Sequence, residues 1–474
     1  MPHAKDIAPN LVSIIVKQMS GKTNFAAGIA SYTVATSILL LPAIWNRFPI
    51  LEYDTGGYLA RWFEGYLVPA RSTTYGLFLF AGWPLDFWPS VILQALAAVW
   101  IVDLLLRVHR FDGRAVALPV IIAVLSLLTA LPWLASELLT DIFAGLAVLA
   151  FHALVWHGDR IGRIERFAIV LFVAFAGSTH NATLAVLIGL AAVAAVVSSF
   201  RPVLVPRQRL GSMVATLGLG AAMLLGANYA LSKTLAWTPG GYGIAFGRML
   251  QDGIVALYLR DHCPDPRLKL CPYRDQLPHD ADSFLWGTSV FDTLGRFAGL
   301  EDEMRFIVLD SLLDYPAMQI ETALRSTAQQ LVAVATGEGV VTTIFHTYGI
   351  IERYTPSVAP AMHAARQQRG ELTFGVINDV HVPVAWLAMV LLPCVMAVGF
   401  WSAEFADLGW LAASITLALL GNAAFCGVIS DPHDRYGSRI VWIAAFGIGL
   451  AAWRAVVIAL DRATVLASGS ASTA

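Results

Sequence analysis

Residues 382–401 read VPVAWLAMVLLPCVMAVGFW, an uncharged apolar stretch of 20 residues. A helix needs roughly 20 apolar residues to cross the hydrocarbon core of a bilayer, so this stretch predicts a transmembrane helix. The whole chain has the same character, since 57% of its 474 residues are hydrophobic and only 14% are charged. Soluble proteins carry about a quarter charged residues. The composition therefore predicts a polytopic membrane protein, and the net charge of -2 does not suggest a nucleic-acid partner.

The apolar stretches together predict an all-α membrane protein of about ten transmembrane helices. They are Phe25–Trp45, Phe87–Leu106, Ala115–Leu131, Ile142–Trp156, Phe167–Ser178, Ala182–Phe200, Gly211–Leu231, Val382–Trp401, Leu408–Ser430 and Ile440–Leu460. The fifth and sixth stretches are separated only by residues 177–181, so they could also form one bent helix.

Arginines distinguish the two ends of these helices. With ten helices, the connections 107–114, 160–166 and 201–209 lie on one side, and each carries three arginines. The short connections 132–141 and 178–182, on the other side, carry no Lys or Arg. Merging the fifth and sixth stretches would move 201–209 to the wrong side. The positive-inside rule therefore predicts a multi-pass protein of the bacterial inner membrane with both termini in the cytoplasm.

This orientation divides the chain into three regions. Residues 1–231 contain seven predicted helices and an outer loop at 46–86. Residues 232–381 form a large extracytoplasmic segment, which we expect to be mainly helical. Residues 382–474 contain three predicted helices and an outer turn at 431–439.

Two cysteines in the large segment, Cys263 and Cys271, form a candidate disulfide. An extracytoplasmic compartment is oxidising, and the pair would close a short loop. A zinc site is less favoured, because the nearby His262 and His279 do not have a recognised ligand spacing.

The first outer loop contains a candidate catalytic acid, Asp54, within the stretch FPILEYDTGGY at 48–58. An acid just beyond a membrane helix is partly desolvated and can serve as a general base. Asp54 is equally well placed to be only the N-cap of an interfacial helix that begins at Thr55. Glu137 and Asp141, in the turn at 132–141, could face the same cavity, although Asp141 could also be a plain helix cap.

The last outer turn reads DPHDRYGSR at 431–439. So many charges between two apolar helices are costly unless they pair with one another or bind a ligand. The Arg435 guanidinium can present a fork of donors to a phosphate, with His433 and Tyr436 adding hydrogen bonds. A self-paired Asp–Arg turn is the alternative, but it needs fewer charges, so we favour binding.

No motif for a soluble nucleotide, a serine nucleophile or a zinc protease occurs in the sequence. An activated donor should therefore be lipid-linked. With this pattern, the chain resembles the GT-C superfamily of integral-membrane glycosyltransferases. The residues that carry the resemblance are YDTGGY at 53–58, RSTTYG at 71–76, SELLTD at 136–141 and HDRY at 433–436. Many members have paired acids where this sequence has Asp54 followed by threonine.

The resemblance implies transfer of a sugar from a polyprenyl-phosphate carrier to a hydroxyl of a glycan, lipid or protein at the extracytoplasmic face. Asp54 would deprotonate the acceptor, and Arg435, with Arg439, would stabilise the departing phosphate. Glu137 or Asp141 would orient the acceptor or hold a divalent metal, but no firm metal ligands or cofactor are predicted.

Two other functions remain open at this point. An O-antigen-type polymerase or ligase depends on arginines in large outer loops, and the large segment supplies Arg248, Arg260, Arg267, Arg274 and Arg296. A transporter or flippase would show related halves and broken helices at mid-membrane. The sequence shows no matching halves, and its densest polar clusters lie at the outer ends of the predicted helices.

Overall fold

The structure is a computed structural model that describes residues 25–471, with side chains described up to residue 463. The predicted cytoplasmic N-terminal segment, residues 1–24, lies outside the described residues. Within 25–471 the regular structure consists of α-helices and short 3-10 helices. A single isolated bridge joins Ile50 to Glu137 in that range. The predicted all-α fold is therefore confirmed for the described part of the chain.

The N-terminal region forms a helical bundle, and short helices lie in the connections between its longer helices. The helices are α1 (Phe25–Leu39), α2 (Leu41–Asn46), α3 (Thr55–Glu64), α4 (Thr73–Gly82), α5 (Trp88–Val108), α6 (Arg114–Leu128), α7 (Leu131–Ser136), α8 (Ile142–His157), α9 (Arg163–Thr179), α10 (Asn181–Phe200) and α11 (Arg207–Ser232). Helices α9 and α10 are separate, because the chain becomes extended at His180. Helix α3 begins at Thr55, where the sequence predicts an interfacial helix.

The large segment is also helical, and it packs in two parts. Its helices are α12 (Gly241–Gln251), α13 (Ile254–His262), α14 (Ala281–Leu285), α15 (Val290–Thr293), α16 (Arg296–Asp314), α17 (Pro316–Val332), α18 (Phe345–Tyr354) and α19 (Ala359–His363). Buried apolar residues between Phe246 and Val308 share a core of their own. Further along the chain, Val334, Ile344 and Ile351 belong to the main core instead.

The disulfide lies in the first of these two parts. Cys263 and Cys271, the pair that the sequence predicts, are joined, and both pack against the core of that part.

Three long helices complete the described chain: α20 (Gly375–Trp401), α21 (Ala406–Ile429) and α22 (Asp434–Ala471). Helix α17 of the large segment lies along α21, so the segment contacts the C-terminal bundle directly. Helix α8 is the most enclosed of the membrane helices, since 89% of its most apolar stretch is buried.

Seven helices in the described part are long and apolar enough to cross a membrane. They are α5, α8 with its 3-10 extension to Arg160, α10, α11, α20, α21 and α22. This set is compatible with a multi-pass membrane protein. The other three predicted spans coincide with the shorter helices α1, α6 and α9, of 15, 15 and 17 residues. The count of ten crossings therefore stays a prediction.

The contact between α17 and α21 gives a test of the fold. A Cβ atom on Gly427 would lie 2.6 Å from the carbonyl oxygen of Ser326, which is too close for any side chain. We expect Gly427→Val to force the two helices apart and to cost about 1–3 kcal/mol of folding free energy. The melting temperature of the purified protein measures this loss.

Gly189→Val in α10 is the matched control, because no atom lies within 4 Å of its Cβ position. Both changes add the same side chain to a helix. Equal melting temperatures for the two variants would contradict the close packing of α17 on α21.

Candidate functional site

The first outer loop and the turn at 132–141 are joined through their backbones. The amide of Ile50 donates to the carbonyl of Ser136 at 2.9 Å, and the amide of Leu138 donates to the carbonyl of Ile50 at 2.9 Å. The Thr55 hydroxyl donates to the carbonyl of Leu138 at 3.0 Å. These bonds place the acids of the two connections side by side.

Two buried glutamines of the large segment hold the neighbouring backbone. The Gln367 side chain accepts from the amide of Leu51 at 3.0 Å and donates to its carbonyl at 2.7 Å. The Gln330 side chain makes the same pair of bonds to His433, at 2.9 and 2.8 Å. The large segment therefore fixes both the first loop and the last turn.

Seven ionisable side chains meet where these connections converge. We call them the acid–arginine cluster: Glu52, Asp54, Arg71, Glu137, Asp141, Arg435 and Arg439.

Arg435 lies at the centre of this cluster, in the first turn of α22. Its Nη1 lies 2.7 Å from Glu52 Oε1, and its Nη2 lies 3.0 Å from Asp54 Oδ2. Its Nε lies 3.4 Å from Asp141 Oδ2. The guanidinium is only 15% exposed, so each of its three nitrogens faces a carboxylate in a shielded environment.

The other two arginines lie on either side. Arg71 pairs with the second carboxylate oxygen of Asp54, and its guanidinium lies 5.5 Å from the ring of Trp286. Arg439, one helical turn beyond Arg435, is fully buried. It donates to Asn422 Oδ1 at 2.7 Å and lies 3.6 Å from Asp141.

The ion pairs give the two acids of the first loop, Asp54 and Glu52, different pKa values. Burial alone would raise the pKa of Asp54, but Arg71 and Arg435 outweigh it and hold that pKa below its usual value. For Glu52 the cation with the largest effect is Arg435, and Asp54 is a neighbouring anion. Burial, reinforced by Asp54, raises the pKa of Glu52 to about 7. Asp54 is therefore ionised at neutral pH, whereas Glu52 titrates close to it.

The acids of the second connection have different surroundings. Burial, then the charges of Asp141 and Glu52, raise the pKa of Glu137 well above its ordinary value. The Asp141 side chain is 1% exposed, and neither of its oxygens has a hydrogen-bond partner in the described part of the chain. Its two arginine contacts are longer than a good hydrogen bond.

Asp54 and Asp141 occupy the N-cap positions of α3 and α8, but neither side chain makes a capping hydrogen bond. The Asp54 carboxylate pairs with Arg71 and Arg435 instead. Its side chain is thus committed to the cluster and not to the helix end.

His433 and Tyr436 lie at the outer edge of the cluster. His433 Nδ1 is 2.7 Å from Glu338 Oε1, and Nε2 is 3.2 Å from Asp431 Oδ2. The Tyr436 ring lies 5.2 Å from the Arg435 guanidinium and 5.4 Å from that of Arg439. These two residues therefore stand next to Arg435, as the sequence predicts, but His433 already has acidic partners.

Among the described residues, three groups of side chains have the spacing of metal ligands. One group, Asp282, Asp431 and His433, borders the acid–arginine cluster. Neither Glu137 nor Asp141 belongs to any of the three, so the predicted alternative that these two hold a metal gains no support from their positions.

Two members of the cluster were not among the predicted site residues. Glu52 lies two residues before Asp54, and Arg71 belongs to the quoted stretch at 71–76. Glu52 is a second acid of the first loop. It is not a direct neighbour of Asp54 in the sequence, and only Asp54 was predicted as a site residue of this loop. The signal that could have found both was the density of charge around the loop.

Comparison with known proteins does not place the chain in a family. No protein-family model matches it, and no curated protein or solved structure matches it either.

The pKa of Glu52 gives a prediction for stability. Because the folded chain binds this proton more tightly than the unfolded chain, Glu52 makes the fold less stable as the pH rises from 4.5 to about 7. We expect Glu52→Gln to remove this part of the pH dependence. Melting temperatures of the variant and the unchanged protein, compared across that range, measure it.

Glu338→Gln is a control of opposite sign. His433 and the Arg435 amide outweigh the burial of Glu338 and lower its pKa, so its stabilisation is present above its usual pKa. Its replacement should therefore lower the melting temperature at neutral pH. An unchanged pH dependence in Glu52→Gln would mean that Glu52 does not titrate in this range.

Proposed function

We propose that this chain is a GT-C-type glycosyltransferase that moves a sugar from a polyprenyl-phosphate carrier to an acceptor hydroxyl. The observation that carries the proposal is the position of Asp54 between Arg71 and Arg435. A carboxylate that can take a proton lies next to guanidinium groups that can bind a phosphate. Three separate outer connections supply these groups and their neighbours, so the arrangement depends on the tertiary fold.

The proposed location is the inner membrane of a bacterium, with both termini in the cytoplasm and the acid–arginine cluster on the extracytoplasmic side. Helix α8 supports this orientation, since Asp141 precedes it and Arg160 is the last residue of its 3-10 extension. In the order of the chain, the arginine-rich connections 107–114, 160–166 and 201–209 lie at the same end of the bundle as Arg160. Positively charged connections favour the cytoplasmic side.

The ion pairs of Arg435 and Arg71 imply how the binding of a donor would activate Asp54 as a base. All three nitrogens of Arg435 face carboxylates, so a phosphate must compete with them for the guanidinium. A phosphate that draws Arg435 or Arg71 away from Asp54 removes a cation that lowers the pKa of Asp54. Donor binding would thus make Asp54 a stronger base at the moment when one is needed.

In the reaction, the acceptor oxygen forms a bond to the anomeric carbon of the sugar while its proton passes to Asp54. The bond from that carbon to the phosphate oxygen breaks, and its electron pair leaves with the polyprenyl phosphate. The negative charge that grows on this phosphate faces Arg435 and Arg71, which stabilise the transition state. The step needs no covalent intermediate with the protein.

The remaining acids fit supporting roles. Asp141 has hydrogen-bonding capacity to spare, so it can orient the acceptor hydroxyl. The raised pKa of Glu137 favours its protonated form, which can donate a hydrogen bond to a sugar or acceptor oxygen. Arg439 is held by Asn422 and lies near His180 at 3.2 Å, so we assign it to the positioning of Asp141.

The arginines of the large segment argue against the polymerase or ligase alternative. Each of the five pairs with an aspartate of the same segment, namely Arg248 with Asp252, Arg260 with Asp261, Arg267 with Asp265, Arg274 with Asp275 and Arg296 with Asp292. None of these arginines belongs to the acid–arginine cluster. These five arginines are therefore already paired and are not free to bind a preassembled glycan chain.

The first functional prediction concerns Asp54→Asn, which keeps the shape of the side chain and removes the base. With the purified protein in lipid and a panel of radiolabelled polyprenyl-phosphate sugars, we expect one donor to be used. The variant should transfer that sugar more slowly by about 10²- to 10⁴-fold, the usual contribution of a general base. Scintillation counting of the acceptor product measures the rate.

Asp252→Asn is the matched control, since Asp252 is also ion-paired but lies outside the cluster, 2.7 Å from Arg248. It should retain the rate of the unchanged protein. Full activity of Asp54→Asn at normal membrane levels would exclude Asp54 as the base. Transfer of a preassembled chain instead of a single sugar would favour the polymerase or ligase function.

A second prediction concerns the pH profile. Arg71→Gln removes one of the two cations that lower the pKa of Asp54, so the pKa should rise. Because Asp54 must be ionised to accept a proton, the acid limb of kcat/KM against pH should move to higher pH. An acid limb that stays in place would show that another group controls the reaction.

A further inference from the structure

Three histidines meet at the end of α8 that lies away from the acid–arginine cluster. His109 directly follows α5, and His152 and His157 belong to the last turns of α8. Their residues are only 3%, 2% and 7% exposed. A ring nitrogen of each lies within 4.8 Å of a ring nitrogen of both others. No part of the proposed transfer reaction uses them.

The Nδ1 atoms of two of these rings are occupied. His109 Nδ1 lies 2.8 Å from Asp407 Oδ2, and His152 Nδ1 lies 2.9 Å from Ser414 Oγ. The Ser414 hydroxyl donates its own hydrogen to the carbonyl of Trp410 at 3.0 Å. Ser414 must then accept from His152, just as the Asp407 carboxylate accepts from His109. In both rings the proton is therefore on Nδ1, and Nε2 carries the lone pair.

The Nε2 atoms have no such partners. In all three histidines Nε2 is buried, and no hydrogen-bond partner reaches it within the described residues. Buried polar atoms are normally paired, so three unpaired ones in one place require an explanation. For His109 and His152 the unpaired atom is also the one with the lone pair, which is the form that a metal ion binds.

We propose that His109, His152 and His157 form a binding site for a divalent transition metal, with zinc as the natural occupant. Three imidazole nitrogens and an open fourth position are a known zinc arrangement, with metal–nitrogen distances of about 2.0–2.1 Å. Imidazole ligands also suit copper, nickel and cobalt.

The contacts around the histidines support a metal site in particular. A histidine that ligates a metal usually donates its other N–H to a carboxylate or another acceptor, which fixes the orientation of the ring. Asp407 and Ser414 do this for His109 and His152, and both belong to α21. A metal would therefore join the end of α5 to the end of α8, while Asp407 and Ser414 hold two of its ligands from α21.

One other occupant fits the same nitrogens. A single water molecule could donate to Nε2 of His109 and His152 and accept from Nε2 of His157. The experiment must distinguish a metal from water, and cobalt does so because its visible absorption depends on its ligands.

The test uses the full-length protein in detergent or lipid, purified without a histidine tag, stripped with a chelator and titrated with Co²⁺. We expect one equivalent of cobalt to bind, with the visible bands of a tetrahedral nitrogen site. The bands should be lost in His152→Gln and retained in His262→Gln. The control is matched, because His262 belongs to another group with metal-ligand spacing, with Asp310 and Asp314.

A second variant keeps the test informative if His152→Gln does not fold. Asp407→Asn leaves all three imidazoles in place but weakens the acceptor for His109, so cobalt affinity should fall by about 10- to 100-fold. The melting temperature of the unchanged protein should also rise with cobalt concentration.

Three results would overturn the proposal. The unchanged protein could take up no cobalt at stoichiometric concentration, which would leave water as the occupant. Folded His152→Gln could keep the full absorption, or Asp407→Asn could bind cobalt as tightly as the unchanged protein. Since the readout is metal binding, a failure of the glycosyltransferase proposal would not affect it.

Discussion

The side chain on which the acid–arginine end of this structure depends is Arg435, held by Glu52, Asp54 and Asp141. Charges this well shielded cannot be left alone, since removing one partner of a buried pair costs about 3–5 kcal/mol. The three acids come from two connections far from Arg435 in the chain, and Glu52 lies 383 residues before it. The first loop, the second turn and the last turn must therefore be brought to one place before any of them is stable there.

The fold meets this requirement in part with neutral hydrogen bonds, beside the contacts that Glu338 makes with His433 and with the Arg435 amide. The bridge between Ile50 and Glu137 aligns two connections, and the buried amides of Gln330 and Gln367 hold the backbone of the others. A rigid neutral frame leaves the charged side chains free to exchange partners. That freedom matters for the proposed reaction, because a base with a lowered pKa becomes useful only when a bound phosphate takes over one of its arginines.

The sequence predicted the features that depend on local composition. Each apolar stretch is largely helical, the chain breaks at His180, and Cys263 pairs with Cys271. What it could not predict were partners that only the tertiary fold brings together. Glu52 looks like an ordinary loop acid until Arg435 is beside it, and Arg71 like an ordinary surface cation until it meets Asp54. The sequence also did not predict the lengths of the helices. The first apolar stretch is interrupted at Leu40, and the short helix α2, which contains Pro42, follows the interruption.

Helix α8 links the two groups of polar side chains for which the structure suggests a ligand. Asp141 precedes its first residue and His157 is its last, so the two groups are separated by the length of 16 residues, about 24 Å of helix. Apolar side chains buried in the main core fill the distance between them. A metal at one end could not contact a sugar or a phosphate at the other. Any influence of the histidines on transfer must therefore act through the position of α8 itself, which carries Asp141 at one end and is fastened to α21 at the other.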